Sequence, residues 1–275
     1  MKKNVVKAAL ALALVSLFLL AGCGQPAGTT SGDTPANVVI KVGASPTPHA
    51  EILEQVIPIL AEQGITLEIV EFNDYVVPNT ALEDGSLDAN YFQTQPYLTA
   101  FNADHGTHIV GIADIHYEPL GVYPGKTASF DELPDGAQIG IPNDATNEGR
   151  ALQLLVAQGL ITLREGVGLE AVPNDVIDNP KNIQFVELEP AQLPVSLPDL
   201  DMAVINGNYA LGAGIASTGI AYEAPGSEGV FPNLVCVREG DEQRPEILAL
   251  VEAIMSDAIR DFINDRYEGI VVPLF

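Results

Sequence analysis

Residues 85–98 read Gly-Ser-Leu-Asp-Ala-Asn-Tyr-Phe-Gln-Thr-Gln-Pro-Tyr-Leu, a strand giving way to a helix. Residues 87–92 have the length and composition of a short strand. Alternation would place Leu87, Ala89 and Tyr91 on one face and Asp88, Asn90 and Phe92 on the other. Polar residues follow, and Pro96 suits the first turn of a helix carrying Tyr97, Leu98 and Phe101. A strand that ends in a polar turn and opens a helix is where α/β sheets place a ligand crevice. Phe92 and Tyr97 sit here beside small polar groups. They suit either the wall of a pocket for an apolar side chain or ordinary core packing.

Working outward, residues 38–42 read as a buried strand and 43–46 as the turn after it. Residues 49–61 are helical in pattern, with Ile52, Leu53, Val56, Ile59 and Leu60 on one face. Pro58 lies inside that pattern and should kink the helix or end it early. Residues 66–72 alternate as a second strand, 80–84 suit a short helix, and 108–115 give a further strand. This alternation of strands and helices argues for a mostly parallel sheet covered by helices. From Lys126 the pattern restarts, with a helical turn at 130–133 and strands at 138–141, 183–188 and 202–205. Asp144 caps a helix running to about Gln158. Residues 233–238 then form a returning strand, with amphipathic helices at 245–255 and 257–267.

The chain has 275 residues, 47% of them hydrophobic, enough for one large core or two lobes. Its net charge is −25, and Lys2, Lys3 and Lys7 fall in the first 22 residues. Without them, nine basic residues face 37 acidic ones, a charge of −28. Nucleic acid and anionic membrane surfaces repel such a body. Residues 1–22 read as an export signal: a basic start, then an apolar run at 8–20 interrupted only by Ser16 and too short to span a membrane comfortably. Leu20-Ala21-Gly22-Cys23 matches a bacterial lipobox, in which the cysteine is acylated, carries palmitate and becomes the mature N-terminus. Residues 23–37, rich in Gly, Thr, Ser and Pro, then serve as a flexible tether. With Cys23 committed to lipid, Cys236 has no disulfide partner and is expected to be buried packing.

Few residues can carry chemistry. Only three lysines and six arginines remain beyond the signal, so Arg150 stands out. It lies with Asn147 in the first turns of the helix capped by Asp144, where backbone N–H groups favour an anion. Its planar fork suits a carboxylate, whether a ligand's or that of a neighbouring acid. Asn206 and Asn233 fall at strand ends, where an amide can contact either end of a zwitterion or simply complete a turn. His105, His108 and His116 lie around a polar loop and beyond the following strand with no cysteine near, so no metal site is expected. His49 reads as a capping or packing residue. No nucleophile elbow, phosphate loop or dinucleotide fingerprint is present, and Ser45 has no assignable base, so neither catalysis nor a cofactor is expected.

The stretch at 85–98 also resembles the signature of the methionine-binding lipoproteins of bacterial ABC importers, the MetQ/NlpA group. The resemblance recurs at Pro48-His49-Ala50-Glu51-Ile52-Leu53, at Pro142-Asn143-Asp144 through Asn147 and Arg150, and at Asp178-Asn179-Pro180-Lys181-Asn182. It continues at Val186-Glu187-Leu188-Glu189, Ala203-Val204-Ile205-Asn206 and Asn233-Leu234-Val235, in the family's order. It implies a two-lobe, type II periplasmic-binding-protein-like α/β fold with a hinge and an interlobe cleft. The lobes would be residues 38–120 with 228–275, and 121–227, crossing near 118–124 and 224–232. It further implies a protein lipid-anchored on the extracytoplasmic face that delivers a free amino acid, most simply methionine, to an ABC permease and its ATPase. Arg150 matches the family's carboxylate-binding arginine. Asn206 and Asn233 match polar contacts, Asn147 is a further ligand-binding candidate beside Arg150, and Tyr75, Phe92 and Tyr97 would wall the side-chain pocket. Thr94 stands where the family commonly has histidine, which leaves the individual ligand open. A binder of another amino acid or short peptide, an exported hydrolase and a non-transport surface lipoprotein are the alternatives.

Overall fold

The computed structural model describes residues 38–224 and 230–275. The signal, the tether and Cys23 lie outside the described residues. The chain opens with β1 (Val38–Ala44), α1 (Glu51–Ala61), β2 (Ile65–Glu71), α2 (Val77–Glu83), β3 (Ala89–Thr94), α3 (Gln95–His105) and β4 (Ile109–Tyr117). It then leaves this sheet for β5 (Gly121–Pro124), β6 (Gln138–Pro142), α4 (Ala145–Ala157) and a small pair, β7 (Thr162–Leu163) with β8 (Val176–Asp178). Next come β9 (Gln184–Leu188), α5 (Leu193–Ser196), β10 (Met202–Ile205), α6 (Gly207–Gly212) and β11 (Ala221–Tyr222). The chain returns as β12 (Asn233–Arg238), α7 (Pro245–Ile254), α8 (Asp257–Tyr267) and β13 (Val272–Pro273).

Two sheets result. The first has the order β13-β4-β12-β3-β1-β2 and the second β11-β5-β10-β6-β9. Their parallelism is less than the alternation of elements suggested. In the first sheet β1 runs parallel to β2 and β3, but β12 pairs antiparallel with both β3 and β4. The second sheet is parallel over β9-β6-β10 and antiparallel where β5 joins. Each departure occurs at a strand bordering a passage between the sheets. A strand that enters from the other half arrives without the crossover helix that makes neighbours parallel.

Both sheets are covered on two faces, which is why their central strands read as continuous apolar runs. On one face of the first sheet, Ile40, Val42, Tyr91, Ile115 and Val235 pack against Ile52, Leu53 and Val56 of α1 and Ile247, Leu250 and Ile254 of α7. On the other, Leu87, Leu98, Leu234 and Cys236 form a smaller core. In the second sheet, Met202 and Val204 pack with Leu152 and Leu155 of α4, while Ala203 and Ile205 face Leu193, Leu197 and Leu200. Cys236 is fully buried, the packing role expected of it.

Three local expectations need correcting. α1 runs through Pro58 to Ala61, because the proline sits in the last turn, with Glu62 N–H donating to the Pro58 carbonyl. The strand in the opening stretch is β3, two residues later than expected, and both its faces are buried. Its alternation is silent because it lies between β1 and β12 with side chains packed above and below. His116 lies inside β4 and is fully buried.

Candidate ligand site

The opening stretch ends at the site. Thr94, in extended backbone, precedes α3, and Pro96 occupies its first turn. That geometry sets Phe92 and Tyr97 side by side, and the loop after β2 adds Tyr75. The Tyr75 ring lies 5.8 Å from both, and Tyr97 O–H donates to the Tyr75 carbonyl at 3.0 Å. Phe101 extends this aromatic wall from the next turn of α3.

Opposite it lies the start of α4. Asp144 caps the helix by accepting from Asn147 N–H at 3.0 Å, as its position in the sequence indicated. The same carboxylate accepts from Asn147 Nδ2 at 2.9 and 3.0 Å, which points Asn147 Oδ1 towards Arg150 and Asn206. Arg150 Nη1 and Asn206 Nδ2 each donate to that oxygen at 3.0 Å. Arg150 is 4% exposed. Its Nε and Nη2 donate to the two oxygens of Glu223 at 3.0 and 2.6 Å, and Phe231 lies 5.3 Å from the guanidinium carbon. One edge of the fork is therefore already filled by a protein carboxylate. Of the two N–H groups on Nη1, Asn147 takes one and the other remains for a second anion.

The two sides converge. Tyr75, Phe92, Thr94, Tyr97, Asn147, Arg150, Asn206 and Asn233, scattered over 159 positions of chain, all line one cavity of about 390 Å³, part of it open at the mouth. Gln93, Glu118, Leu120, Gly207 and Asn208 complete its lining. Asn208 Oδ1 accepts from Tyr75 O–H at 2.6 Å, and Tyr209 O–H donates to the Asn73 carbonyl at 3.1 Å. These bonds tie the loop between β2 and α2 to α6, the first sheet's side to the second's.

The family profile described as NlpA lipoprotein matches residues 40–275. The chain belongs to the NlpA lipoprotein family. It is 40% identical over 262 residues to a D-methionine-binding lipoprotein MetQ of Salmonella typhimurium, covering 94% of this chain and 93% of the relative. Among solved structures it is similar to a lipoprotein from Ruminococcus gnavus, at 50% identity and a TM-score of 0.84, covering 86% of this chain and 99% of that one. It is also similar to a nutrient-binding protein from Burkholderia cenocepacia bound to methionine, at 42% identity and a TM-score of 0.82, covering 86% and 100%. The Salmonella and Burkholderia relatives are named as binding proteins, and the fold is the two-lobe periplasmic-binding type, as the resemblance led us to expect.

Glu118, which no motif in the sequence marks, also lines the cavity of this NlpA chain. Its side chain is buried at the end of β4, where the chain leaves the first sheet. Oε1 accepts from His116 Nε2 at 2.6 Å and lies 3.5 Å from His49 Nε2, whereas Oε2 is buried with no hydrogen-bond partner. Asn206 Oδ1 is likewise buried and unpartnered. Two bare acceptors thus line one cavity and call for a donor-rich group. Burial pushes the Glu118 carboxyl up to about 7, against the opposing pull of His49 and Arg150. Burial lowers His49 to about 4 and His116 to about 3, so both rings are neutral at pH 7. His49 is neither cap nor mere filler: its Nε2 lies 3.0 Å from Asn233 Oδ1 and fixes that amide. One acid among 37 gives no signal in composition, but His116 and Glu118 are two apart at a strand end and so share a face. His49, His116 and Glu118 offer atoms within 4.8 Å of one another, the spacing of a metal triad. The 2.6 Å contact between His116 and Glu118 is, however, that of a hydrogen bond.

Proposed function

We propose that the chain is a substrate-binding lipoprotein that captures a free amino acid, methionine foremost, for an ABC importer. The observation that carries this is the polarity of the cavity. One guanidinium with an open end, two unpartnered acceptors and an aromatic wall match the carboxylate, ammonium and apolar side chain of one amino acid. The carboxylate would meet Arg150 with Asn147 beside it. The ammonium would meet Glu118 and Asn206, and the side chain would lie among Tyr75, Phe92 and Tyr97, where a thioether gains roughly 0.3–1.5 kcal/mol per aromatic contact. The names of the relatives and the methionine-bound neighbour support the same ligand.

On this reading residues 38–120 and 228–275 form one lobe and 121–227 the other, a division supported by the membership of the two sheets. Closure of the lobes buries the ligand, driven by contacts that exist only when both sides meet it. No chemical step is required of the protein. A lipid on Cys23 would hold it at the extracytoplasmic face, within reach of a permease and its ATPase.

Thr94, half-buried at the cavity wall, is smaller than a histidine and leaves space beside the side-chain pocket. Calorimetry of the purified chain against the common amino acids should therefore show methionine bound, together with at least one larger or more polar residue within about tenfold. Strict methionine selectivity would defeat the roomier pocket, and no heat with any amino acid would defeat the function.

A further inference from the structure

We propose that Tyr91 and His116 are positioning residues for Glu118, turning its free oxygen towards the site and making amine capture expel a proton. The inference rests on the reading that Glu118 meets the ligand's ammonium.

Tyr91, fully buried on β3, directs its hydroxyl at His116 Nδ1. His116 Nε2 faces Glu118 Oε1 at 2.6 Å, and a carboxylate only accepts. With Glu118 ionised, a neutral ring that donates through Nε2 must accept at Nδ1, so the chain then runs one way: Tyr91 O–H to His116, His116 N–H to Glu118. His49 closes the other side. It packs against Tyr91 and His116 with ring centroids at 4.7 and 5.0 Å, and its Nε2 is taken up by Asn233. His116 therefore engages Oε1, with His49 Nε2 3.5 Å away, and Oε2 is left free. That free oxygen lies against α6, where a Cβ at Gly207 would come within 2.8 Å of it.

The proton follows from what surrounds this carboxyl. His49 of the turn before α1, His116 on β4, Tyr91 on β3, Tyr75 before α2, Tyr123 on β5, Tyr267 on α8 and Arg150 on α4 are the titratable groups that act on it or feel it. At neutral pH the imidazoles and phenols among them are uncharged, and Arg150 already holds Glu223. Among the described residues, no unshared cation of the protein faces Glu118. The empty site accordingly keeps a proton on part of the population at pH 7, while the site filled by an ammonium group holds the carboxylate. The step balances simply: the carboxyl O–H breaks, its proton goes to solvent, and the ammonium takes its place. Affinity should then fall as pH drops below 7, by up to tenfold per unit. Tyr91→Phe removes the donor at Nδ1, so His116 becomes a weaker donor or moves its proton to Nδ1. Either change favours the protonated carboxyl and shifts the pH profile upward.

The test is calorimetry with methionine from pH 5 to 8, in buffers of differing ionisation enthalpy, on the wild-type chain, Tyr91→Phe and Glu118→Gln. We expect release of a fraction of a proton at pH 7 by wild type and a steep acid limb. Tyr91→Phe should displace that limb upward by about half a unit or more, with affinity recovering towards pH 8. Glu118→Gln should bind weakly without an acid limb. A wild-type profile flat to pH 5 with no proton released, alongside weak binding by Glu118→Gln, overturns the coupling but not the ligand contact. Tyr91→Phe losing the same factor at every pH reduces Tyr91 to packing and overturns its role. Glu118→Gln binding as tightly as wild type overturns both this inference and the reading beneath it.

Discussion

Replacing Arg150 with alanine should weaken methionine binding by about 2–5 kcal/mol, roughly 30- to 5,000-fold in affinity. The size follows from burial. The guanidinium is 4% exposed and anchored on Glu223 and Asn147, so its free end is held in place before any ligand arrives. Truncation leaves a ligand carboxylate in a closed cavity without a cation, and leaves Glu223 unpaired as well. Arg150→Lys separates these effects, since it keeps the charge but cannot bridge Glu223 and the ligand with one rigid fork. It should retain part of the affinity. Isothermal titration checks both variants. A loss of less than tenfold in Arg150→Ala, about 1.4 kcal/mol, would mean that the anion is held elsewhere.

Glu118→Gln is the second large effect expected, at about 3 kcal/mol or more than a hundredfold. The amide is nearly isosteric, and its oxygen can still accept from His116 Nε2. The nitrogen then takes the place of Oε2 and points donors at an ammonium that is itself only a donor. One attraction is lost and one repulsion added. A methionine analogue lacking the amine provides the control. It should bind wild type weakly and Glu118→Gln no worse, so the two losses are strongly non-additive. Additive losses would show that Glu118 and the amine do not meet.

What the sequence made legible was mostly what periodicity and punctuation control. Met202–Ile205, Asn233–Arg238 and Asp257–Tyr267 appear in the structure with the bounds the pattern gave them, because apolar runs and capping residues mark their ends. The helix after Asp144 was readable for the same reason, its cap being a local bond. β3 was harder. A strand buried on both faces has no alternation to display, so its start slipped by two residues. The two-residue strands β11 and β13 have no sequence signal, since pairing with β5 and β4 alone defines them.

The site divides along the same line. Arg150 was conspicuous by scarcity, and the rings by their place at a strand–helix turn. Glu118 was hidden because its character comes from surroundings drawn from distant segments: His49 lies 69 positions away in the chain, and Gly207 lies 89. The pairing of Arg150 with Glu223 was likewise invisible, one acid among many selected by the path of the chain between sheets. In each case the sequence supplied the residue type, and tertiary contact supplied its environment.

The crystal structure of the chain with methionine is the most direct test of the account. We predict one methionine between the two sheets, its carboxylate about 3 Å from Arg150 Nη1 and its nitrogen at hydrogen-bond distance from Glu118 Oε2 and Asn206 Oδ1. Its thioether should lie among Tyr75, Phe92 and Tyr97. A methionine bound with its ends reversed, or bound away from Arg150 and Glu118, would contradict it.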